Sequence, residues 1–283
     1  MHTPGILYVV ATPIGHLGDI SQRAIDTLRT VDLIAAEDTR HSGQLLTHLG
    51  IHTRMVALHE HNEATVSPGL IEQLRNGRNI ALITDAGTPA ISDPGAVLVR
   101  LAHRAEIRVA PIPGASAVVS AMSVAGISEP GWVFYGFLPA RPSARRKALH
   151  ELVNVPWTLV LYEAPHRIVE SVTDLYHALG ERELVLAREL TKLFETVQRM
   201  PLSQAVDWLQ ADPQRKKGEF VLIVSAAPPI DNHQQDEQRL RDTLMILLDQ
   251  LPVSQAAQLA AKLTGMKKNH CYQLALTLQN AQP

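Results

Sequence analysis

The stretch ITDAGTPAISDPG, residues 83–95, decides the fold. It follows NIALI, residues 79–83, an apolar run without alternation, which is the mark of a strand buried on both faces. The loop joins Gly87, Pro89, Pro94 and Gly95 to two carboxylates, Asp85 and Asp93. In a parallel sheet, ligands lie beyond the carboxyl ends of the strands, and glycine there lets main-chain groups approach them closely. The loop is therefore predicted to belong to a ligand site. Asx turns or helix caps are the alternative use of its two aspartates.

Outward from this stretch, ILYVV (6–10), DLIAA (32–36), RMVAL (54–58) and IRVAPI (107–112) repeat the strand pattern. Between the first two, Ile20, Ala24, Leu28 and Val31 recur at helical spacing, and Asp19 with Gln22 predicts a capping box. Strand and helix alternate over residues 1–116, which predicts an α/β domain with a parallel, doubly wound sheet. Two more loops at strand ends carry glycine: ATPIGHLGDI (11–20), with Pro13 and Gly15, and PIPGASAVVSA (111–121), with Gly114 and Ser116. All three should converge on one cleft. ATPIGHLGDI has neither G-x-G-x-x-G spacing nor a Walker lysine, so nicotinamide and P-loop readings lose their main support.

From Trp132 the strand candidates crowd together: WVFYGFLP (132–139), WTLVLYE (157–163), ELVLARE (183–189), ETVQRM (195–200) and GEFVLIVSA (218–226). With helices over 143–153, 166–179 and 201–210, they predict a second α/β domain, residues 117–226, built on a mixed sheet. Residues 227–235 are polar and contain proline, as a linker does. Residues 236–283 hold three short amphipathic helices, the last two joined at Thr264-Gly265-Met266, a helix-turn-helix-like pattern.

The 283 residues are too many for one ordinary core. The single cysteine, Cys271, excludes an internal disulfide and a multi-cysteine zinc site. Charge is unevenly spread: residues 1–118 hold 9 Arg, no Lys and 11 Asp plus Glu, whereas residues 254–283 hold Lys262, Lys267 and Lys268 and no acid. A polyanion should meet the later part of the chain. With no apolar run of about 18 residues and no basic leader-like start, a cytoplasmic protein without a membrane partner is expected. LHEHNE (58–63) gathers two histidines and two glutamates without zinc spacing, so no metal is expected.

Taken together, these motifs resemble the tetrapyrrole methylase superfamily, and within it the ribosomal RNA cytidine 2′-O-methyltransferases. The likeness runs through ATPIGHLGDI, AAEDTRHSGQLL from Ala35, LHEHNE, TDAGTP and SDPG, PIPGASA, GFLP, YEAPHR, ARELTK and KGEFVLIV, and so covers nearly the whole chain. Departures at Ala11, His16 and Thr84 touch no position on which the chemistry obviously depends.

The resemblance implies a two-domain, class III methyltransferase fold and S-adenosylmethionine held folded between the domains. It also implies a homodimer, and as acceptor a cytidine of 16S rRNA in the decoding centre of the small ribosomal subunit. The cofactor is then expected at Pro13, Gly15, Asp85, Ala86, Gly87, Thr88, Gly114, Ser116, Tyr162 and Val221, with Asp85 facing its cationic part or the incoming ribose. Because a sulfonium already activates the methyl group, the protein must align the ribose oxygen and remove a proton. Glu163 and Glu189 are candidate acceptors of that proton; Lys192 is a candidate to stabilise the alkoxide or, with a depressed pKa, to act as base. A structural ion pair is the alternative for each. Candidate phosphate contacts are Arg145 and Arg146 in ARPSARRK, Arg167 at a helix start, and Lys267 and Lys268 at the start of the last helix. Two rival functions remain: a small-molecule tetrapyrrole methylase, and a nucleic-acid-binding regulator whose α/β part senses a ligand.

Overall fold

Five short strands, β1 (Leu7–Val10), β2 (Leu33–Ala36), β3 (Met55–Ala57), β4 (Ile80–Ile83) and β5 (Val109–Ile112), form a parallel sheet in the order β3-β2-β4-β1-β5. Every residue of β2 and β4 is buried, as central strands covered on both faces require. One face (Leu33, Ala35, Ile80, Leu82) packs on α3 (Glu63–Arg75) and α4 (Ala96–Arg104). The other (Ile34, Ala36, Ala81, Ile83) packs on α1 (Gln22–Thr30) and α2 (Thr39–His48). Period-two alternation along each strand thus sorts the core into two layers. The computed structural model describes residues 3–129, 131–227 and 232–280.

The cap of α1 differs from expectation. Ser21, not Asp19, is the N-cap: its hydroxyl accepts from Ala24 N at 3.1 Å, while Asp19 closes a preceding 3-10 turn. Serine sits one residue before the first helical position and needs no fourth-residue partner to cap.

After α5 (Ala117–Val124), five strands make the mixed sheet: β6 (Trp132–Phe137), β7 (Thr158–Glu163), β8 (Glu183–Arg188), β9 (Thr196–Pro201) and β10 (Phe220–Val224), ordered β6-β7-β10-β8-β9. β6 and β7 are parallel; the remaining pairs are antiparallel. One face packs on α6 (Pro142–Leu152), α7 (Ile168–Leu179) and α8 (Ala205–Gln210). The other, Val160, Val185, Ala187, Val221 and Ile223, packs on α5 and on Ile14 from the loop after β1. That second face is where the two sheets approach each other and where a cleft opens.

Met1–Ala227 form one compact unit and Pro228–Pro283 another. The second contains α9 (Asn232–Leu248), α10 (Val253–Thr264) and α11 (Lys268–Asn280) around a core of Leu240, Leu244, Ala257, Ala260, Cys271 and Ala275. Gly265 closes α10 at φ +74°, the left-handed conformation that glycine adopts without a Cβ clash. Of the expected linker, residues 228–231 lie outside the described residues, and α9 already begins at Asn232, inside the span read as linker. No helix among the described residues is long and apolar enough to cross a membrane.

Candidate active site

Because β1, β4 and β5 are neighbours, the loops at their carboxyl ends meet. Thr12 N donates to Gly87 O at 2.9 Å and Gly87 N donates back to Thr12 O at 3.1 Å. The Thr12 hydroxyl donates to Thr84 O at 3.1 Å, and the Thr88 hydroxyl to Ala115 O at 3.1 Å. Gly87 has φ +82°, and a Cβ on Gly114 would lie 3.0 Å from Ala11 Cβ. Glycine is required at the first for its dihedral and at the second for its close packing.

These loops and the second sheet enclose a cavity of ≈ 380 Å³. Ala86, Gly87, Thr88 and Ser116 line it from one side, and Tyr162, Ala187, Leu190 and Val221 from the other. Tyr162 packs edge-on against Phe134 and Phe137, and its hydroxyl accepts from Val118 N at 3.1 Å. Burial pushes that phenol up to about 12, so it stays neutral. Asp93 faces the same cavity, although its sequence setting before Pro94 suited a local turn. Burial, then the nearby charge of Glu37, pushes its carboxyl up to about 7.

A second cavity of ≈ 380 Å³ adjoins the first and shares with it Ile14, Ala86 and Glu219. Pro13, Gly15, Asp85 and Lys192 line this second space, together with His41 and His48. Asp85 is tied to neighbouring backbone: Asp38 N donates to its Oδ1 at 3.2 Å, and its own N donates to Glu37 Oε2 at 3.3 Å. A Cβ on Gly15 would lie 2.5 Å from Lys192 Cγ and 2.7 Å from Thr191 Oγ1, so glycine here lets the 190–192 turn approach. His16 N donates to Thr191 Oγ1 at 3.0 Å and fixes that approach.

Lys192 Nζ donates to Glu189 at 2.9 Å and to Glu219 at 3.0 Å. Burial by itself would lower the lysine pKa, but the two carboxylates outweigh it and hold it above the ordinary value. Lys192 is therefore held as a cation in this pairing. Burial likewise works to raise Glu189, yet the Glu219 amide and Lys192 leave it below the usual carboxylate range. Glu189 lines neither cavity. Glu163 lines the first, but Oε1 is occupied by Arg167 and by Ala164 N. Glu163 Oε2 is buried without a partner, while Glu219, although paired with Lys192, keeps its side chain 74% exposed at the wall that both cavities share.

The expected phosphate contacts fare unevenly. Arg145 is buried, its Nε 2.7 Å from Asp174 and its Nη2 3.4 Å from Glu170, so it joins α6 to α7 and is closed to RNA in this conformation. A buried guanidinium without partners would be far costlier than one on the surface; the two acids on α7 satisfy Nε and Nη2, while Nη1 has no partner. Arg146 is exposed. Arg167 is held by Glu163 and lies over the Phe137 ring, which leaves it largely covered. Lys267 and Lys268 are exposed at the start of α11.

The chain belongs to the tetrapyrrole methylase family: the profile described as Tetrapyrrole (Corrin/Porphyrin) Methylases matches residues 6–206, and fold and cleft define an S-adenosylmethionine-dependent methyltransferase. A second profile, RsmI C-terminal HTH domain, matches residues 234–279. Within the family, the chain is similar over nearly its full length to proteins named ribosomal RNA small subunit methyltransferase I. That of Vibrio cholerae serotype O1 is 50% identical over 96% of this chain and 94% of its own; that of Haemophilus influenzae is 49% identical over 96% of each. That of Escherichia coli O157:H7 is 47% identical over 98% of this chain and 97% of its own. Among solved structures, the uroporphyrin-III-C-methyltransferase of Thermus thermophilus has a TM-score of 0.53 at 19% identity, covering 82% of this chain and 98% of that one. A cobalt precorrin-4 methyltransferase has a TM-score of 0.57 at 16% identity, covering 77% of this chain and 94% of that one. At such identities the likeness is one of fold.

Proposed function

We propose that the chain transfers the methyl group of S-adenosylmethionine to the ribose 2′-oxygen of a cytidine in the decoding centre of 16S rRNA. The observation that carries this reading is the pair of cavities with one common wall at Ile14, Ala86 and Glu219: cofactor in the first, acceptor ribose in the second. The first cavity suits this cofactor chemically. Ile14, Leu190 and Val221 offer apolar walls for a nucleoside base, glycine and alanine bring main-chain groups to the surface, and the carboxylates of Asp93 and Glu219 complement a cation. Bound there, the cofactor supplies a methyl group already activated on a sulfonium.

The chain's own residues do the rest. Lys192, kept charged, steadies the oxyanion that develops as the 2′-hydroxyl loses its proton. Glu219 stands beside it as the accessible acceptor of that proton. Pro13 and Gly15 shape the entry, and Gly114 keeps its loop packed behind the cofactor cradle. The relatives' names, and the helix-turn-helix module with Lys267 and Lys268 exposed, support structured rRNA in the small subunit as acceptor, with Arg146 as a further phosphate contact. A small-molecule acceptor would leave that module without a task. The same reading has the enzyme acting in the cytoplasm as a homodimer, with residues 1–116 and 117–226 as its two catalytic domains.

The test is label transfer. Small subunits incubated with methyl-tritiated S-adenosylmethionine and the protein should yield 2′-O-methylcytidine on digestion to nucleosides. Label in a base-methylated nucleoside, or no label, refutes the proposal.

A further inference from the structure

The segment LHEHNE, residues 58–63, takes no part in the chemistry above, and among the described residues its histidines join no group able to hold a metal. Its geometry is that of a clamp. Leu58 is fully buried, Asn62 Oδ1 accepts from His59 N at 2.8 Å, and Asn62 Nδ2 donates to Ala57 O at 3.1 Å. These bonds lock the turn between β3 and α3. Glu63 then opens α3 with its side chain turned away from solvent, the residue being 7% exposed.

Glu63 Oε1 accepts from three amides of another helix: Gly95 N at 3.0 Å, Val97 N at 2.7 Å and Leu98 N at 3.2 Å. These are the amides that open α4, which no intrahelical carbonyl can satisfy. The N-cap position is Gly95, which has no side chain to do it. A carboxylate from 32 residues away does so instead, and its charge complements the helix dipole.

What the cap holds matters for the cofactor. Helix α4 is the far anchor of the loop after β4, which supplies Thr88, Ile91 and Asp93 to the first cavity. Within that loop Ala90 (φ +67°) and Ser92 (φ +62°) are left-handed without being glycine. Gly95 has φ +127°, and a Cβ there would lie 2.6 Å from Leu82 Cδ2. Such backbone persists only where its surroundings over-determine it. The end of β4 fixes one side of the loop and the capped helix fixes the other.

We infer that Glu63 is a positioning residue for cofactor binding: by capping α4 with Oε1 it holds the strained loop of residues 88–95 in the shape that lines the cofactor cavity. The inference rests on the reading of the first cavity as the S-adenosylmethionine site. It makes reach count for more than charge, since the three amides converge on one oxygen.

The test compares Glu63→Ala, Glu63→Asp and Glu63→Gln. Glutamine keeps an acceptor oxygen at the same reach; aspartate keeps the charge but is one carbon shorter. Calorimetry should show the Ala and Asp variants binding S-adenosylmethionine about tenfold more weakly and the Gln variant binding close to wild type. In transfer assays the cofactor KM should rise for Ala and Asp, with kcat at saturating cofactor little changed. Unchanged cofactor affinity in folded Glu63→Asp, whatever its melting temperature, overturns the inference, as does equal weakening in Gln and Asp. If Glu63→Ala does not fold, the Asp and Gln pair decides. Hydrogen exchange at the Val97 and Leu98 amides reads the cap without cofactor: faster exchange in Asp than in Gln is expected, and equal exchange overturns the inference. A wild-type protein that binds no S-adenosylmethionine would refute the cavity assignment, a result separate from the exchange measurement.

Discussion

Lys192 Nζ lies 3.0 Å from the Glu219 carboxylate, and Glu219 belongs to the wall that both cavities share. On the proposed reading, a cation placed there is next to the point where donor and acceptor meet, and it is held in place from the other side by Glu189 at 2.9 Å.

Lys192→Met should therefore slow transfer by about 100-fold, the usual effect of removing one oxyanion-stabilising group. Affinity for S-adenosylmethionine should stay near wild type, because Lys192 lines the second cavity and not the first. Single-turnover transfer beside calorimetric cofactor binding makes the check; near-normal turnover removes Lys192 from the chemistry.

Asp93 gives a pH signature. Its folded-state pKa of about 7 exceeds the unfolded value near 3.8, so the native state binds the extra proton between these limits. Stability must then fall as pH rises through that window. The residue is only partly buried, so solvent screening reduces the effect to about 1–2 kcal/mol. Urea unfolding at a series of pH values should show this decline in wild type and a flatter profile in Asp93→Asn. Parallel profiles would mean that Asp93 titrates normally.

Arg145 should prove structural. Arg145→Ala leaves the largely buried Asp174 with only the longer contact to Arg146 at 3.7 Å and should cost about 3 kcal/mol of stability, the lower end for a broken buried pair. Arg145→Met, which fills the space, should cost less. Where the variants fold, KM for the subunit should not change, and a raised KM at normal stability would return Arg145 to the RNA surface.

Lys267 and Lys268 make the opposite case. Replacing both by alanine should raise KM for the subunit and lower its salt slope by about 2, one for each phosphate no longer neutralised. Cofactor affinity and melting temperature should be unaffected. An unchanged salt slope would show that α11 does not touch RNA.

What the sequence made legible follows from how local each signal is. β2 and β4 were readable because strands buried on both faces are continuous apolar runs, and PIPG, ATPIG and DAGTP were readable as converging loops because their glycines mark close approach. Arg145 was not readable: its burial depends on Asp174, 29 residues further on, while its neighbours look like a surface charge run. Glu219 was hidden for a similar reason, as one acid after RKKG whose significance comes from Lys192, 27 residues before it. Asp93 read as a turn residue because only the folded cavity shows that its carboxyl is withdrawn from water. Glu63 had no role assigned from LHEHNE, because the α4 amides that it caps lie 32 to 35 residues further on.

Strand order also governs how the enzyme comes into being. β10 is the last strand to be synthesised, yet it lies between β7 and β8, and all of its residues are buried. The first sheet is complete once residue 112 has emerged, whereas the second lacks its middle until residue 224 is made. Until then β7 and β8 each carry an unpaired apolar edge, the kind of surface that invites mispairing. The same late segment brings Glu219, so a nascent chain can finish its first sheet long before it has the wall that the two cavities share.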